Sequence, residues 1–293
     1  MLKSILISLF LLIGISTYSQ NYSDVIWINQ AVSPFLNNED SSNARILETN
    51  FTLRAPLYLQ DSTTFFLLNV SLNRTKYSFL QSDENRIFGG GFVGLIHFRQ
   101  WNENWSSQST LQIGSFSELN NFTWNGPQYF LGSIWTRKIN EELSLGLGFL
   151  VGKRIRFNYY IPLGQIIWKP YRKWTFSGLA PGNAVINYQA TPERGFGFNY
   201  IALGNAFNIR DFGVDFLSET PVNFPWTYLR FNLYYDQFFF KDLAFRIEAG
   251  WDFVRNLQAF DPVNVVIPET IFLTGKYPPK PFIRAGVYFR VRN

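Results

Sequence analysis

The feature that most constrains this chain is an alternation of apolar and polar residues that recurs along its length. In the C-terminal stretch Pro281–Asn293, apolar residues such as Ile283 and Val287 occupy one parity, whereas Arg284 and Arg290 occupy the other. A two-residue period is typical of a β-strand with two unlike faces. One such strand suits both a soluble sandwich and a membrane barrel, so the number and length of the repeats decide between them.

Similar segments recur from Leu47 onward, and most of them are long. Examples are Leu47–Leu59, Glu142–Gly152, Trp174–Tyr188 and Leu243–Phe253. A tilted strand that crosses a bilayer needs about 9–11 residues, whereas the strands of soluble proteins usually have about 5–6. Short turns alternate with longer loops, as in membrane barrels. The sequence therefore predicts an all-β fold, an antiparallel transmembrane β-barrel of about 12 strands, or of 14 if Val25–Ile28 and part of Asn208–Phe216 also pair.

The first residues predict export. Lys3 precedes the mostly apolar run Ile5–Ile15, and small residues follow it, which is the pattern of a cleaved Sec signal peptide over residues 1–19. The run is shorter than the roughly 20 residues of a spanning helix, so an uncleaved anchor is the weaker alternative. We expect residues 20–44 to form an N-terminal tail or plug segment, with an extra strand as the alternative, and residues 45–293 to form the barrel.

Composition argues against several other classes of protein. The chain has no cysteine, which excludes disulfides and thiolate metal sites. Aromatic residues make up 19% of the chain, and large rings with polar tips suit a membrane–water boundary. The net charge is +5, but the basic residues do not form long runs, so we expect no nucleic-acid partner.

Two motifs that often carry chemistry lack the context that they need. Gly89–Gly94 matches G-x-G-x-x-G, but Leu95–Arg99 after it is predicted to be a strand and not the helix on which a pyrophosphate would bind. His97 is the only histidine, and the sequence identifies no acid–base partner for it. We therefore predict no enzyme activity, no catalytic residue, no metal site and no cofactor.

Ionisable residues gather on the polar parity of four segments. If the barrel closes with Leu47–Leu59 beside the terminal strand, these segments form one continuous wall of the lumen. The predicted charged wall consists of Glu48, Arg54, Arg230, Asp236, Arg246, Glu248, Asp252, Arg284 and Arg290. Such a wall is either a constriction that selects small solutes such as anions or a salt-bridged network that fills a narrow lumen.

These features resemble Gram-negative outer-membrane β-barrel proteins over nearly the whole chain. The segments YIPLGQIIWKP and KWTFSGLAPGNAVINY are also similar to a family of uncharacterised bacterial outer-membrane barrels known as a domain of unknown function. This similarity is carried by Pro162, Gly164, Trp168, Pro170, Trp174 and Pro181. The resemblance implies insertion into outer-membrane lipid by the barrel-assembly machinery, although Phe289, the last aromatic residue, is followed by Arg290–Asn293 instead of ending the chain.

The first hypothesis for function is a passive, porin-like channel for small solutes. A non-conducting structural or adhesion barrel is the main alternative, and a lipid-modifying barrel enzyme is a weaker one. The sequence does not identify the solute.

Overall fold

The structure, a computed structural model, is built from β-strands. It describes residues 22–33, 44–61, 63–79, 85–119, 127–154, 157–209, 222–239, 242–257 and 279–292. The strands are β1 (Tyr22–Ser33), β2 (Ala44–Asp61), β3 (Thr64–Phe79), β4 (Asn85–Gln100), β5 (Trp105–Glu118), β6 (Gln128–Lys138), β7 (Leu143–Arg154), β8 (Phe157–Tyr171), β9 (Trp174–Ala180), β10 (Asn183–Thr191), β11 (Arg194–Ile209), β12 (Val222–Phe238), β13 (Leu243–Leu257) and β14 (Lys280–Arg292). Within these ranges no helix is long and apolar enough to cross a membrane. The predicted signal peptide, residues 1–19, lies outside the described residues.

The strands form one closed barrel in which each strand pairs antiparallel with the next and β14 pairs with β1. This confirms the predicted antiparallel barrel, with 14 strands, the larger of the two predicted numbers. Val25–Ile28 belongs to β1, as that alternative required; Ile26–Ile28 pairs with both neighbouring strands, and Val25 lies at a register shift. The second additional strand has another origin, because the predicted strand Trp174–Tyr188 is a hairpin that turns at Pro181–Gly182. As for Asn208–Phe216, β11 includes its first two residues, and residues 210–221 lie outside the described ranges.

Residues 22–33 are part of the wall, so the expectation of a tail or plug is wrong for this segment. Ile28 points outward and is half exposed, whereas Asn29 and Ala31 point inward and are buried. The alternation is weak in the sequence because the inward residues are small or uncharged. The predicted neighbour of the terminal strand is also wrong, since β1 lies between β14 and the segment Leu47–Leu59 of β2.

The two faces of the strands differ as the alternation predicts. In β14, Ile283 is 64% exposed and Val287 is 46% exposed, whereas Arg284 is only 8% exposed. Leu233 in β12 and Trp251 in β13 also point outward. Large apolar side chains on the outside of a closed barrel form a surface that suits lipid. The predicted outward and inward faces of β14 are confirmed for the residues whose side chains are described.

Exposed aromatic side chains gather near the short turns at one end of the barrel. They include Trp101, Trp105, Trp168, Tyr171 and Trp174. Tyr and Trp rings are enriched where a membrane barrel meets the membrane–water boundary, because one end of the ring is apolar and the other is polar. This end of the barrel therefore has the composition of an interfacial girdle.

One hairpin of the wall is shorter than its neighbours. It turns at Pro181–Gly182, so β9 pairs with β8 only within Gly164–Tyr171 and β10 pairs with β11 only within Arg194–Ile201. At the turn, the Ala202 N–H donates to the Gly182 carbonyl at 2.7 Å. Beyond the turn, among the described residues, segment 157–163 of β8 pairs with β7 alone.

The far end of β11 meets β5, which is not its neighbour around the wall. Asn208 of β11 pairs in parallel with Ser117 of β5. Strands β6–β10 separate these two strands in the barrel order. The barrel is therefore narrowed at this level, with β6–β10 on one side of the β5–β11 contact and the remaining strands on the other.

Candidate functional site

Three arginines and four acidic residues form one buried ion network inside the barrel. They lie on β2, β12, β13 and β14, and each is at most 9% exposed. The members of this ion network are Arg230, Arg246, Arg284, Glu48, Asp236, Glu248 and Asp252.

Arg230 lies at one end of the ion network and joins two carboxylates. Its Nε and Nη2 donate to the two carboxylate oxygens of Asp252 at 2.6 and 2.7 Å. Its Nη1 donates to Glu48 Oε2 at 3.2 Å. Asp252 is the direct cross-strand neighbour of Arg230. Glu48 instead belongs to β2, which β13, β14 and β1 separate from β12, so this contact crosses the interior of the barrel.

Arg246 and Arg284 continue the ion network toward the short turn between β12 and β13. Arg246 donates to both carboxylate oxygens of Asp236, at 2.6 and 2.8 Å. Arg284 Nη1 donates to Glu248 Oε2 at 3.0 Å, and its Nη2 lies 4.0 Å from Glu48 Oε2. Glu248 Oε1 also lies 3.7 Å from Arg246 Nη1. These contacts link all seven residues into a single chain of alternating charges.

Aromatic rings cover the arginines of the ion network. The guanidinium carbon of Arg246 lies 4.0–5.2 Å from the ring centroids of Tyr234, Trp27 and Tyr288. That of Arg230 lies 4.2 Å from the Phe282 ring centroid. Desolvated cation–π contacts of this kind contribute about 2 kcal/mol. The ion network is therefore packed against rings, with Phe238, Ala244 and Tyr288 forming a buried apolar cluster beside it.

The structure brings together seven of the nine residues of the predicted charged wall. Arg54 lies apart from them, and its Nε donates to Asn69 Oδ1 at 3.3 Å. The side chain of Arg290 lies outside the described residues. Because the seven side chains contact one another and are shielded from solvent, the geometry favours the interpretation as a network that fills part of the lumen.

The sequence interpretation missed the aromatic partners of the ion network. Trp27 was assigned to a tail instead of a wall strand. Tyr234 and Tyr288 share the inward parity of Asp236 and Arg284, and this shared parity is the signal that could have identified them. Cation–π geometry depends on side-chain orientation, which the alternation alone does not give.

A side cavity of about 680 Å³ lies between β5–β9 on one side and β11–β12 on the other. Its lining residues are Gln108, Thr110, Phe130, Gly132, Ser133, Ile134, Leu150, Tyr159, Ile161, Leu163, Leu179, Pro181, Gly182, Tyr200, Ala202 and Leu229. A Cβ on Gly152 would lie within 2.7 Å of the Tyr159 ring, so the glycine allows Tyr159 to pack closely over β7. Among the described residues, the lining is mostly apolar and carries no charged side chain, in contrast to the ion network.

His97 and the glycine motif lie in the wall of the barrel. The motif Gly89–Gly94 is within β4, without the helix that a phosphate site of this type requires. His97 packs on Phe66, with ring centroids 4.6 Å apart. Ser109 is its cross-strand neighbour, but the Ser109 hydroxyl hydrogen-bonds the Ser133 hydroxyl at 2.9 Å. Among the described residues, no group of three or more His, Cys, Asp and Glu side chains could hold a metal ion.

A closed antiparallel barrel with an apolar exterior and a polar interior defines a transmembrane β-barrel protein. Residues 70–262 match the family described as a domain of unknown function (DUF6268), and the chain belongs to this family. The match includes all six residues on which the sequence resemblance rests. No curated protein sequence matches the chain.

Solved structures with a similar fold have low sequence identity to this chain. The KdgM porin is 10% identical with a TM-score of 0.37, over 90% of this chain and 98% of that chain. The NanC porin is 9% identical with a TM-score of 0.40, over 91% and 100%. The translocator domain of the autotransporter NalP from Neisseria meningitidis is 9% identical with a TM-score of 0.39, over 99% and 95%. At these values the similarity concerns the fold alone.

Proposed function

We propose that this protein is an outer-membrane barrel that acts as a passive, porin-like channel for small solutes. The observation that carries the proposal is a closed barrel with an apolar exterior and an interior that side chains fill only in part. The ion network occupies the side formed by β12–β14, β1 and β2, whereas the side cavity leaves space next to β5–β8. Barrels of about eight strands fill with side chains and those of roughly 16–18 hold an aqueous channel, so a barrel of intermediate size has room for both.

Two buried amides support a hydrated interior beside the ion network. Asn232 is 2% exposed, and neither polar atom of its side chain has a hydrogen-bond partner among the described residues. Its cross-strand neighbour Asn199 is also buried, and its Oδ1 likewise has no partner within the described part of the chain. Buried polar groups that lack a protein partner usually bind ordered water.

The location is part of the proposal. We propose Sec-dependent export, insertion by the barrel-assembly machinery and residence in outer-membrane lipid. The exposed apolar face of β12–β14 and the aromatic girdle support this location. Fractionation tests it: the protein should stay with outer membranes after a carbonate wash and migrate faster on gels before heating than after. Recovery in the soluble fraction would contradict a membrane barrel.

Conductance in planar bilayers tests the channel. The purified full-length protein should produce discrete conductance steps, and Gln108→Trp should lower the step size because Gln108 points into the lumen from β5 and is exposed there. Leu111→Trp is the matched control, since Leu111 points outward on the same strand and is 45% exposed. No steps at any voltage from protein that is shown to be folded and inserted would refute the channel.

A non-conducting structural barrel is the second candidate. The contact between Asn208 of β11 and Ser117 of β5 narrows the barrel, and the ion network closes its other side. The same bilayer recording distinguishes the two candidates, because a structural barrel inserts without producing current. We propose no catalytic function, since the hydroxyl that faces His97 across the strands, that of Ser109, is bonded to Ser133.

A further inference from the structure

We infer that the side cavity binds an uncharged, mainly apolar small molecule, and that this molecule exchanges with the bilayer through a gap in the wall between β8 and β11. The inference rests on the proposed channel function and names the class of solute. It follows from three observations on the described residues: the wall is incomplete beyond the short hairpin, the side cavity passes through that region, and the described lining carries no charge.

Within the described ranges, the wall between β8 and β11 lacks strand pairing beyond Pro181–Gly182. In the described part of the chain, β9 and β10 end at this turn, while β8 continues through residues 157–163 with only β7 beside it. On the other side, residues 202–209 of β11 continue with β12, and Asn208 turns toward β5. Two adjacent strands of a complete barrel are about 4.8 Å apart and share a ladder of hydrogen bonds. Here, beyond the turn, the ladder between these two edges is missing within the described ranges.

The side cavity passes through this region because its lining comes from opposite faces of the wall. Phe130, Ile134 and Ile161 have the inward parity, since Leu131, Trp135 and Tyr160 next to them are exposed on the outside. Tyr200, Ala202 and Leu229 instead have the outward parity of β11 and β12, which they share with the exposed Phe196 and Leu233. A cavity that touches the inner face of some strands and the outer face of others connects the interior with the outside of the barrel.

The chemistry of the lining selects the solute. Leu150, Ile161, Leu163 and Phe130 supply apolar surface, while the Gln108 amide and the Thr110 hydroxyl offer hydrogen bonds. A volume of about 680 Å³ falls within the range of roughly 300–1,000 Å³ that is usual for small-molecule sites. A charged molecule would lose its hydration there without gaining an ionic partner, which is unfavourable. An uncharged molecule with one or two polar groups fits these properties.

Two dyes with the same ring system test the class of ligand. N-phenyl-1-naphthylamine is neutral, and 8-anilinonaphthalene-1-sulfonate carries an added sulfonate. With the full-length protein in phosphatidylcholine nanodiscs, and after subtraction of the signal from empty nanodiscs, we expect saturable binding of the neutral dye and at least tenfold weaker binding of the sulfonate. Equal affinities, or no saturable signal from the neutral dye, would overturn the inference. If a lipid acyl chain fills the cavity, the neutral dye will give no saturable signal, and this outcome also overturns the inference.

Two variants place the bound dye. Ala202→Trp fills the cavity at the gap and should weaken binding of the neutral dye at least tenfold. Ala249→Trp makes the same change at an outward position of β13, a strand from which no described residue lines the cavity, and should bind like the parent protein. If both variants bind equally well, the dye binds elsewhere and the inference fails. Both variants must first be shown to be folded by gel electrophoresis without heating, in which a folded barrel migrates faster than the heated protein.

The absence of cysteine allows a direct test of the gap. Thr110→Cys places a thiol at an inward lining position of β5, opposite in parity to the exposed Leu111. It should react with N-(1-pyrenyl)maleimide that is dissolved in the nanodisc lipid, and the labelled protein should no longer bind the neutral dye. Ala31→Cys is the control, because Ala31 is inward and 2% exposed and should stay unlabelled. No reaction at position 110 would show that the cavity is closed to the bilayer. A protein that conducts but binds no dye refutes this inference alone, whereas one that binds dye but does not conduct refutes only the channel.

Discussion

Replacement of Arg230 by methionine tests whether the ion network stabilises the barrel. The substitution keeps a long unbranched side chain but removes the charge between Asp252 and Glu48. Among the described side chains, Arg230 is the only one that donates to Asp252, through bonds of 2.6 and 2.7 Å. Glu48 keeps Arg284 at 4.0 Å. The cost should therefore come mainly from the carboxylate of Asp252, which stays buried without a cation.

The magnitude follows from the burial of both partners. Removal of one partner of a buried ion pair costs about 3–5 kcal/mol, because the other charge is left uncompensated. Replacement of both partners by apolar residues is often nearly neutral. Arg230→Met should therefore lower the free energy of unfolding by about 3–5 kcal/mol, and Arg230→Met combined with Asp252→Leu should lower it clearly less.

Urea titration of the protein in liposomes measures the change in the free energy of unfolding. Unfolding is followed by tryptophan fluorescence and by gel mobility without heating. Arg54→Met is the matched control, since Arg54 has a single 3.3 Å bond to a neutral amide, and it should cost about 1 kcal/mol or less. If Arg230→Met unfolds at the same urea concentration as the parent, or if the double variant is the less stable one, the account of the ion network is wrong.

Replacement of Arg230 by alanine separates the two interpretations of the charged wall. A network that fills the lumen should leave space when one of its arginines is shortened, so Arg230→Ala should raise single-channel conductance with little change in ion selectivity. A selective constriction predicts the reverse, because removal of a cation alters the reversal potential in a salt gradient. A shift in selectivity without a change in conductance would favour the constriction.

Three further predictions concern the wall. Val287→Arg should prevent membrane assembly, because Val287 faces outward on β14 and an arginine facing lipid costs about 2–4 kcal/mol. The yield of protein in the membrane fraction measures this effect, with Val287→Leu as the control. Equal yields of the two variants would contradict the face assignment. Gly197→Val should destabilise the barrel by about 1–3 kcal/mol in urea titrations, because a Cβ at this position would overlap the Tyr234 ring. Gly164→Ala is the control and should be neutral, because a Cβ there meets no atom within 4 Å. His97→Ala should leave assays for lipase and deacylase activity unchanged from the parent, and loss of a measured activity would revive the enzyme hypothesis.

Pairing within hairpins could be predicted from the sequence, and much of the ion network follows from it. Once the turn between β12 and β13 is placed, the register sets Arg230 opposite Asp252 and Asp236 opposite Arg246. The contact between Glu48 and Arg230 could not be predicted in this way. It depends on the curvature of a wall in which three strands separate β2 from β12, and this curvature is a property of the closed barrel and not of any one strand.

The two strands that raise the number from 12 to 14 have weak signals in the sequence, for physical reasons. In β1 the inward positions are Trp27, Asn29, Ala31 and Ser33, which carry no charge and include an aromatic ring, so the alternation is weak. In the predicted strand Trp174–Tyr188, apolar residues continue on both sides of Pro181–Gly182, so the run appears continuous although the chain reverses there. The side cavity depends on both the short hairpin and the β5–β11 contact, and neither feature has a signal in the local pattern.

The seam where the first and last strands meet is held by more than its hydrogen bonds. Trp27 of β1 stacks on Tyr288 of β14 with ring centroids 5.6 Å apart, and Glu48 of β2 joins Arg230 and Arg284 from the other side of the seam. In a chain without disulfides, these side chains fasten the two ends of the sheet to each other. Strand β8 lies halfway around the barrel from this seam. When the wall opens, the strands should therefore separate first between β8 and β11. Within the described residues, these two strands share no hydrogen-bond ladder beyond the short turn. The first and last strands, β1 and β14, should stay joined.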